Sequence, residues 1–140
     1  MNSPPDRPAY HFGTVVERPF ADVIAEVTGY LTGEGFGVLS TIDLQATLKK
    51  KLGEDVPSYT ILGACNPTFA DQAVRHDPTI GVLLPCNVVV RESGDAVAVD
   101  FLDPAAVIEL LGNDALSGIA HEIQARLMRI RDRLGDQAPA

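Results

Sequence analysis

At 140 residues with 46% apolar content, the chain reads as one domain with room for a sizeable core. Its formal net charge of -8 argues against nonspecific nucleic-acid binding and against anionic membranes. Two cysteines are too few for a disulfide framework. The N-terminal MNSPPDRPAYHF has no apolar signal core, and the longest apolar run, Ile80 to Val90, is interrupted by Pro85 and falls short of the ~20 residues that span a bilayer. A soluble cytoplasmic protein, with no nucleic-acid or membrane partner, is the expectation.

Residues 1–9 are polar and proline-rich and are expected to be flexible, as is the tail 135–140, leaving a single domain over 10–134. Tyr10 to Val16 reads as a first strand. Pro19 opens a helix that places Phe20, Val23, Ile24, Val27 and Leu31 on one face, and Gly33 and Gly35 end it. Phe36 to Ile42 alternates as a strand should. Asp43 can cap the short helix that follows, with Leu44, Leu48 and Leu52 along one side and Gly53 after it. Lys49-Lys50-Lys51 at its end reads as a solvated, dipole-complementing terminus rather than an anion site.

Ser58 to Glu92 holds both cysteines, each followed by asparagine. Ser58 to Ala64 is a strand candidate, with Tyr59, Ile61, Gly63 and Cys65 on one face and Thr60, Leu62 and Ala64 on the other. Asn66-Pro67 is a helix start: the Asn side chain can accept a first-turn amide, and Pro suits the first helical position. Asp77-Pro78 ends that helix. A second strand is expected from about Gly81 to Arg91, covered on both faces because it is almost wholly apolar. Pro85 inside it implies a sheet edge or a bulge beside Cys86.

Ser93-Gly94-Asp95 then reads as a hairpin turn, and Asp95 to Leu102 as a strand directing Val97, Val99 and Phe101 inward. Asp103-Pro104 starts a short helix broken by Gly112-Asn113. The last helix, Asp114 to Leu134, carries Leu116, Ile119, Ile123, Leu127, Ile130 and Leu134 at steps of three and four. Arg126, Arg129 and Arg133 line another side, which reads as a wet face. The order of these patterns predicts an α+β fold: a curved, mainly antiparallel five-stranded sheet with the two long helices on one face, a two-layer sandwich.

No phosphate loop, dinucleotide fingerprint, paired-cysteine zinc motif or G-x-S-x-G context is present, and His11, His76 and His121 lack ligand spacing. Chemistry therefore has one candidate place, formed by Cys65, Asn66, Cys86 and Asn87. Cys65 precedes a helix N-terminus, where the dipole would lower a thiol pKa. If the thiols meet, two thiolates would suit a soft metal ion such as Cu(I). Against this stands the commoner fate of free cysteines, burial as small hydrophobes.

The segments LGACNP (Leu62 to Pro67), LLPCNVVV (Leu83 to Val90) and GFGVLSTIDLQATLKKKLG (Gly35 to Gly53) resemble the bacterial and archaeal family known as domain of unknown function 302, and the resemblance runs from Tyr10 to about Leu134. It implies a TATA-binding-protein-like fold of strand, helix, four antiparallel strands and helix. It supplies no established activity and leaves any cofactor unknown, and fold alone does not carry function. Two functions compete. One is a binding or interaction module acting as a homodimer, with a small-ligand or partner site on the sheet face that the main helices leave uncovered. The other is a thiol-based redox or soft-metal protein using Cys65 and Cys86. The dimer is expected because the Gly81 to Val90 run and the stripe of the last helix exceed what so small a chain can cover alone.

Overall fold

A computed structural model describes residues 9–136; the expectations for the two ends lie, for residues 1–8 and 137–140, outside the described residues. The elements run β1 (His11–Val16), α1 (Phe20–Gly33), β2 (Gly37–Asp43), α2 (Leu44–Leu52), β3 (Tyr59–Cys65), α3 (Pro67–His76), a 3₁₀ segment (Pro78–Leu83), β4 (Cys86–Ser93), β5 (Ala96–Leu102), α4 (Pro104–Ile108), a 3₁₀ turn (Glu109–Leu111) and α5 (Asp114–Asp136).

An Asx residue opens each helix after the first. Asp43, Asn66, Asp103 and Asn113 each accept first-turn amides through the side chain, satisfying donors that a helix start leaves orphaned. The five strands form one sheet in the order β1-β5-β4-β3-β2, and every neighbouring pair is antiparallel. The fold is thus α+β with the expected strand count and direction.

One face of the sheet packs against α1 and α5. Val23, Val27, Leu31, Val97, Val99, Phe101 and Leu127 are buried in one cluster, with Ile24 and Ile123 half-buried against it. A smaller cluster of Ala73, Ile80 and Leu116 joins α3, the 3₁₀ segment and the start of α5. The arginines of α5 lie on its wet side, Arg129 and Arg133 exposed and Arg126 half-buried, and each has a partner on or just after α1. Arg126 donates to the Glu34 carbonyl at 2.8 Å, Arg129 donates twice to the Glu34 carboxylate, and Arg133 lies over the Tyr30 ring at 4.2 Å. The row seals the C-terminus of α1, where carbonyls lack helical partners. The Arg129 guanidinium holds the Glu34 carboxyl below its ordinary value.

The second strand of the central stretch departs from expectation. It begins at Cys86, and Pro78–Leu83 winds instead as a 3₁₀ segment. Pro85 therefore precedes the ladder, joined to Leu84 by a cis peptide bond, and β4 lies in the interior of the sheet between β5 and β3, not at an edge. The irregularity sits elsewhere, between Val38 and Ser40 of the edge strand β2. Nor is β4 covered on both faces: Cys86, Val88 and Val90 are buried while Asn87 is exposed and Val89 half-buried. The apolar residues before Pro85 serve another layer, as Ile80 is buried against α3 and α5.

Candidate functional site

β3 ends and β4 begins at the same end of the sheet, with Ala64 opposite Cys86. Cys65 therefore sits one residue from the Cys86 pairing position. Cys86 faces the core and is 5% exposed, whereas Cys65 is half-buried. Both line one cavity of about 30 Å³ together with Asn66, Phe69 and Ile123. Asn66 is buried, and its Oδ1 accepts from the Phe69 amide at 3.2 Å. Asn87 points away, exposed on the opposite face of the sheet. The structure thus brings Cys65, Asn66 and Cys86 together and leaves Asn87 apart.

The difference between the two asparagines gives a direct test. Asn66→Ala is expected to destabilise the fold by about 1 kcal/mol, the usual loss for a removed cap. Asn87→Ala is expected to stay within about 0.5 kcal/mol of the parent, as for a surface site without partners. Paired urea titrations compare them, and equal effects would show that Asn66 does not work as a cap.

Burial disfavours the thiolate form at both cysteines. Burial pushes the Cys65 thiol up, opposite to the lowering expected from the helix start. The Phe69 amide of that helix start is taken by the Asn66 side chain. Burial, with a further contribution from the neighbouring Cys65, pushes Cys86 up from 9.0 to about 11. A thiol with a raised folded-state pKa favours the folded state while it stays protonated. That contribution is complete below about 9, and it is lost as pH climbs through about 9 to 11, because the unfolded chain ionises first. Titration of the native protein with a disulfide reagent at neutral pH should show slow reaction, Cys65 ahead of Cys86. A fast-reacting Cys65 would contradict this picture. Among the described residues no group of three or more His, Cys, Asp or Glu side chains could hold a metal ion, so a soft ion here would have two sulfur ligands alone.

A feature that the sequence did not single out closes this end of the sheet. A Cβ on Gly63 would meet the Ser40 side chain and lie 2.8 Å from the Pro85 ring. Pro85 therefore packs on the flat strand at Gly63, on the face opposite the core, and seats the chain as it enters β4.

That opposite face is the second candidate site. Alternation along the strands places Val15, Ala98, Arg91 and Tyr59 in one cross-strand row, and Gly13, Asp100, Val89, Ile61 and Ile42 in the next. Val15 is 61% and Ile42 46% exposed. The charged strand residues of this face, Arg91 and Asp100, pair with each other at 2.7 Å. None of the core cluster's strand residues points this way.

A two-layer α+β domain, with one sheet face packed and the other accessible, is the class these features define. The family model of "Domain of unknown function DUF302" matches residues 12–134, and the chain belongs to that family. It is similar to a solved structure described as an uncharacterized conserved protein DUF302 from Bacillus stearothermophilus, at 28% identity and a TM-score of 0.85, over 91% of this chain and 99% of that one. No curated protein matches. Among the described residues no helix is long and apolar enough to cross a membrane.

Proposed function

We propose that the domain is a binding module that acts as a homodimer, two copies meeting through the accessible sheet face. The observation that carries this reading is the chemistry of that face: Val15, Val89, Ile61 and Ile42 form an apolar surface whose two charges neutralise each other. A chain of net charge -8 repels its own copies over most of its surface. A face of zero net charge is where a second copy meets least repulsion, and the matching rows suit a two-fold contact.

The reasons for a dimer offered by the sequence hold only in part, since Val82 of the apolar run is exposed while most of the rest is covered. Val88 and Val90 of the apolar run, and Leu127, Ile130 and Leu134 of the last helix, are covered within one copy. The proposal rests on the opposite face instead. Five strands about 4.8 Å apart and about 20 Å long present roughly 500 Å². That is below the ~800 Å² per partner of a standard stable interface, so the pairing is weak and concentration-dependent. Sedimentation equilibrium over a dilution series is expected to give a mass rising from 14.9 kDa towards twice that value. Ile61→Asp should hold the protein at the mass of one chain with its fold retained. A native mass that stays at one chain throughout, or an Ile61→Asp variant that pairs as before, would overturn the proposal.

The thiol or soft-metal alternative has the shared cavity of Cys65 and Cys86 in its favour. It has against it the raised pKa of both thiols, since a thiolate is the species that attacks or ligates.

A further inference from the structure

The cavity beside the cysteines is one of three spaces in series. An inner cavity of about 40 Å³ lies among α3, the 3₁₀ segment, α4 and α5, and it shares Ala73, Leu84, Cys86 and Ile123 with the one that Cys65 lines. On its outer side Ile80 and Leu83 divide it from a surface groove of about 260 Å³, lined also by Asp77, Thr79, Val82 and Leu111. Val82 is 86% and Leu111 44% exposed at this groove.

We propose that these spaces form one binding site for a slender, uncharged molecule built on an unbranched alkyl chain, entering between Ile80 and Leu83 with its apolar end near Cys86. The inner cavity fixes the chemistry. Its side chains carry no hydrogen-bonding group other than the Cys86 thiol, a weak donor and acceptor. Water gains nothing there, and an apolar cavity of this kind stays dry. Size narrows the class further. A cavity of about 150 Å³ accepts a benzene ring, and one of about 40 Å³ does not. A chain of single-methylene width fits end-on, once Leu83, itself half-buried, turns aside. The groove supplies the mouth: exposed Val82 and Leu111 offer apolar contact, while Asp77 and Thr79, whose hydroxyl donates to the carboxylate at 2.7 Å, can still accept from a hydroxyl left outside. The site lies apart from the accessible sheet face and does not depend on pairing.

The test is a nuclear magnetic resonance titration of the intact protein with 1-butanol, 1-hexanol and 1-octanol, following methyl signals. Saturable shifts are expected at Ile80, Leu83, Leu116 and Ile119. Affinity should rise roughly fourfold for each added methylene until the cavities are full, then level off. Ala120, 2% exposed, lines the inner cavity, so Ala120→Val should abolish the saturable shifts there. Leu83→Ala, which widens the entrance, should tighten binding of 1-octanol and keeps the test decisive if Ala120→Val does not fold. Absent or unsaturable shifts, shifts confined to Val89 and Ile61 on the sheet face, or variants that bind as the parent does would overturn the proposal.

Discussion

Phe101→Ala is expected to be the most destabilising single truncation in the core, at about 3–5 kcal/mol. Phe101 is fully buried on β5 and stacks on Phe12 of β1, with ring centroids 5.6 Å apart and planes 14° from parallel. Its strand lies between β1 and β4, so the ring occupies the middle of the layer that α1 and α5 cover. Truncation removes aromatic contact area and leaves a void which two strands and two helices would have to move to fill, and close-packed interiors relax only in part. Chemical denaturation reads the loss directly. A change below about 1 kcal/mol would show that this face is not the organising core.

Gly13→Ala is expected to cost about 1–3 kcal/mol although it adds only one methyl group. A Cβ at Gly13 would be driven into the Val99 carbonyl oxygen and lie 3.2 Å from the Asp100 Cα, so the obstruction is backbone and cannot rotate away. Relief requires β1 to lift from β5, a six-pair ladder that also delivers Phe12 and Val16 to the core. Gly37→Ala is the control. It lies on the edge strand β2 with nothing within 4 Å of an added Cβ, so the same change there should be neutral or slightly stabilising through the unfolded chain. Similar denaturation midpoints for the two variants would refute the close approach.

Local chemistry made much of this fold readable in advance. Asn66-Pro67 announced α3 because capping and proline placement act within four residues. The alternation of Val97, Val99 and Phe101 announced β5 because the period of a pleat is local. The start of β4 was not readable. Ile80 to Leu84 is as apolar as the strand that follows, and a short apolar run does not distinguish a strand from a buried turn. Pro85 carried the missing signal, since a proline is better placed before a ladder than in one. The arginines of α5 do lie on a wet face, Arg129 and Arg133 being exposed, but their partners were not readable. Their partners Glu34 and Tyr30 lie some ninety or more positions earlier in the chain, and helical spacing says nothing of them.

The candidate site divides in the same way. The capping role of Asn66 follows from its neighbours, but the separation of Asn87 from it depends on where β4 begins, which fixes the faces of Cys86 and Asn87 together. The environment of Cys65 was misjudged because the helix start is local and readable, whereas the burial that raises the thiol comes from packing the sequence does not show. The apolar cavities are products of packing between segments far apart in sequence, and no single stretch encodes them.

The pairing through the accessible sheet face is tested most directly by intermolecular nuclear Overhauser effects in a sample that mixes isotope-labelled and unlabelled copies. Pairing predicts contacts between copies that involve the methyl groups of Val15, Ile42, Ile61 and Val89, the exposed or half-buried apolar side chains of that face. The absence of any such contact at concentrations where the other signals are strong, or contacts confined to the exposed side of α2 around Leu52, would contradict it.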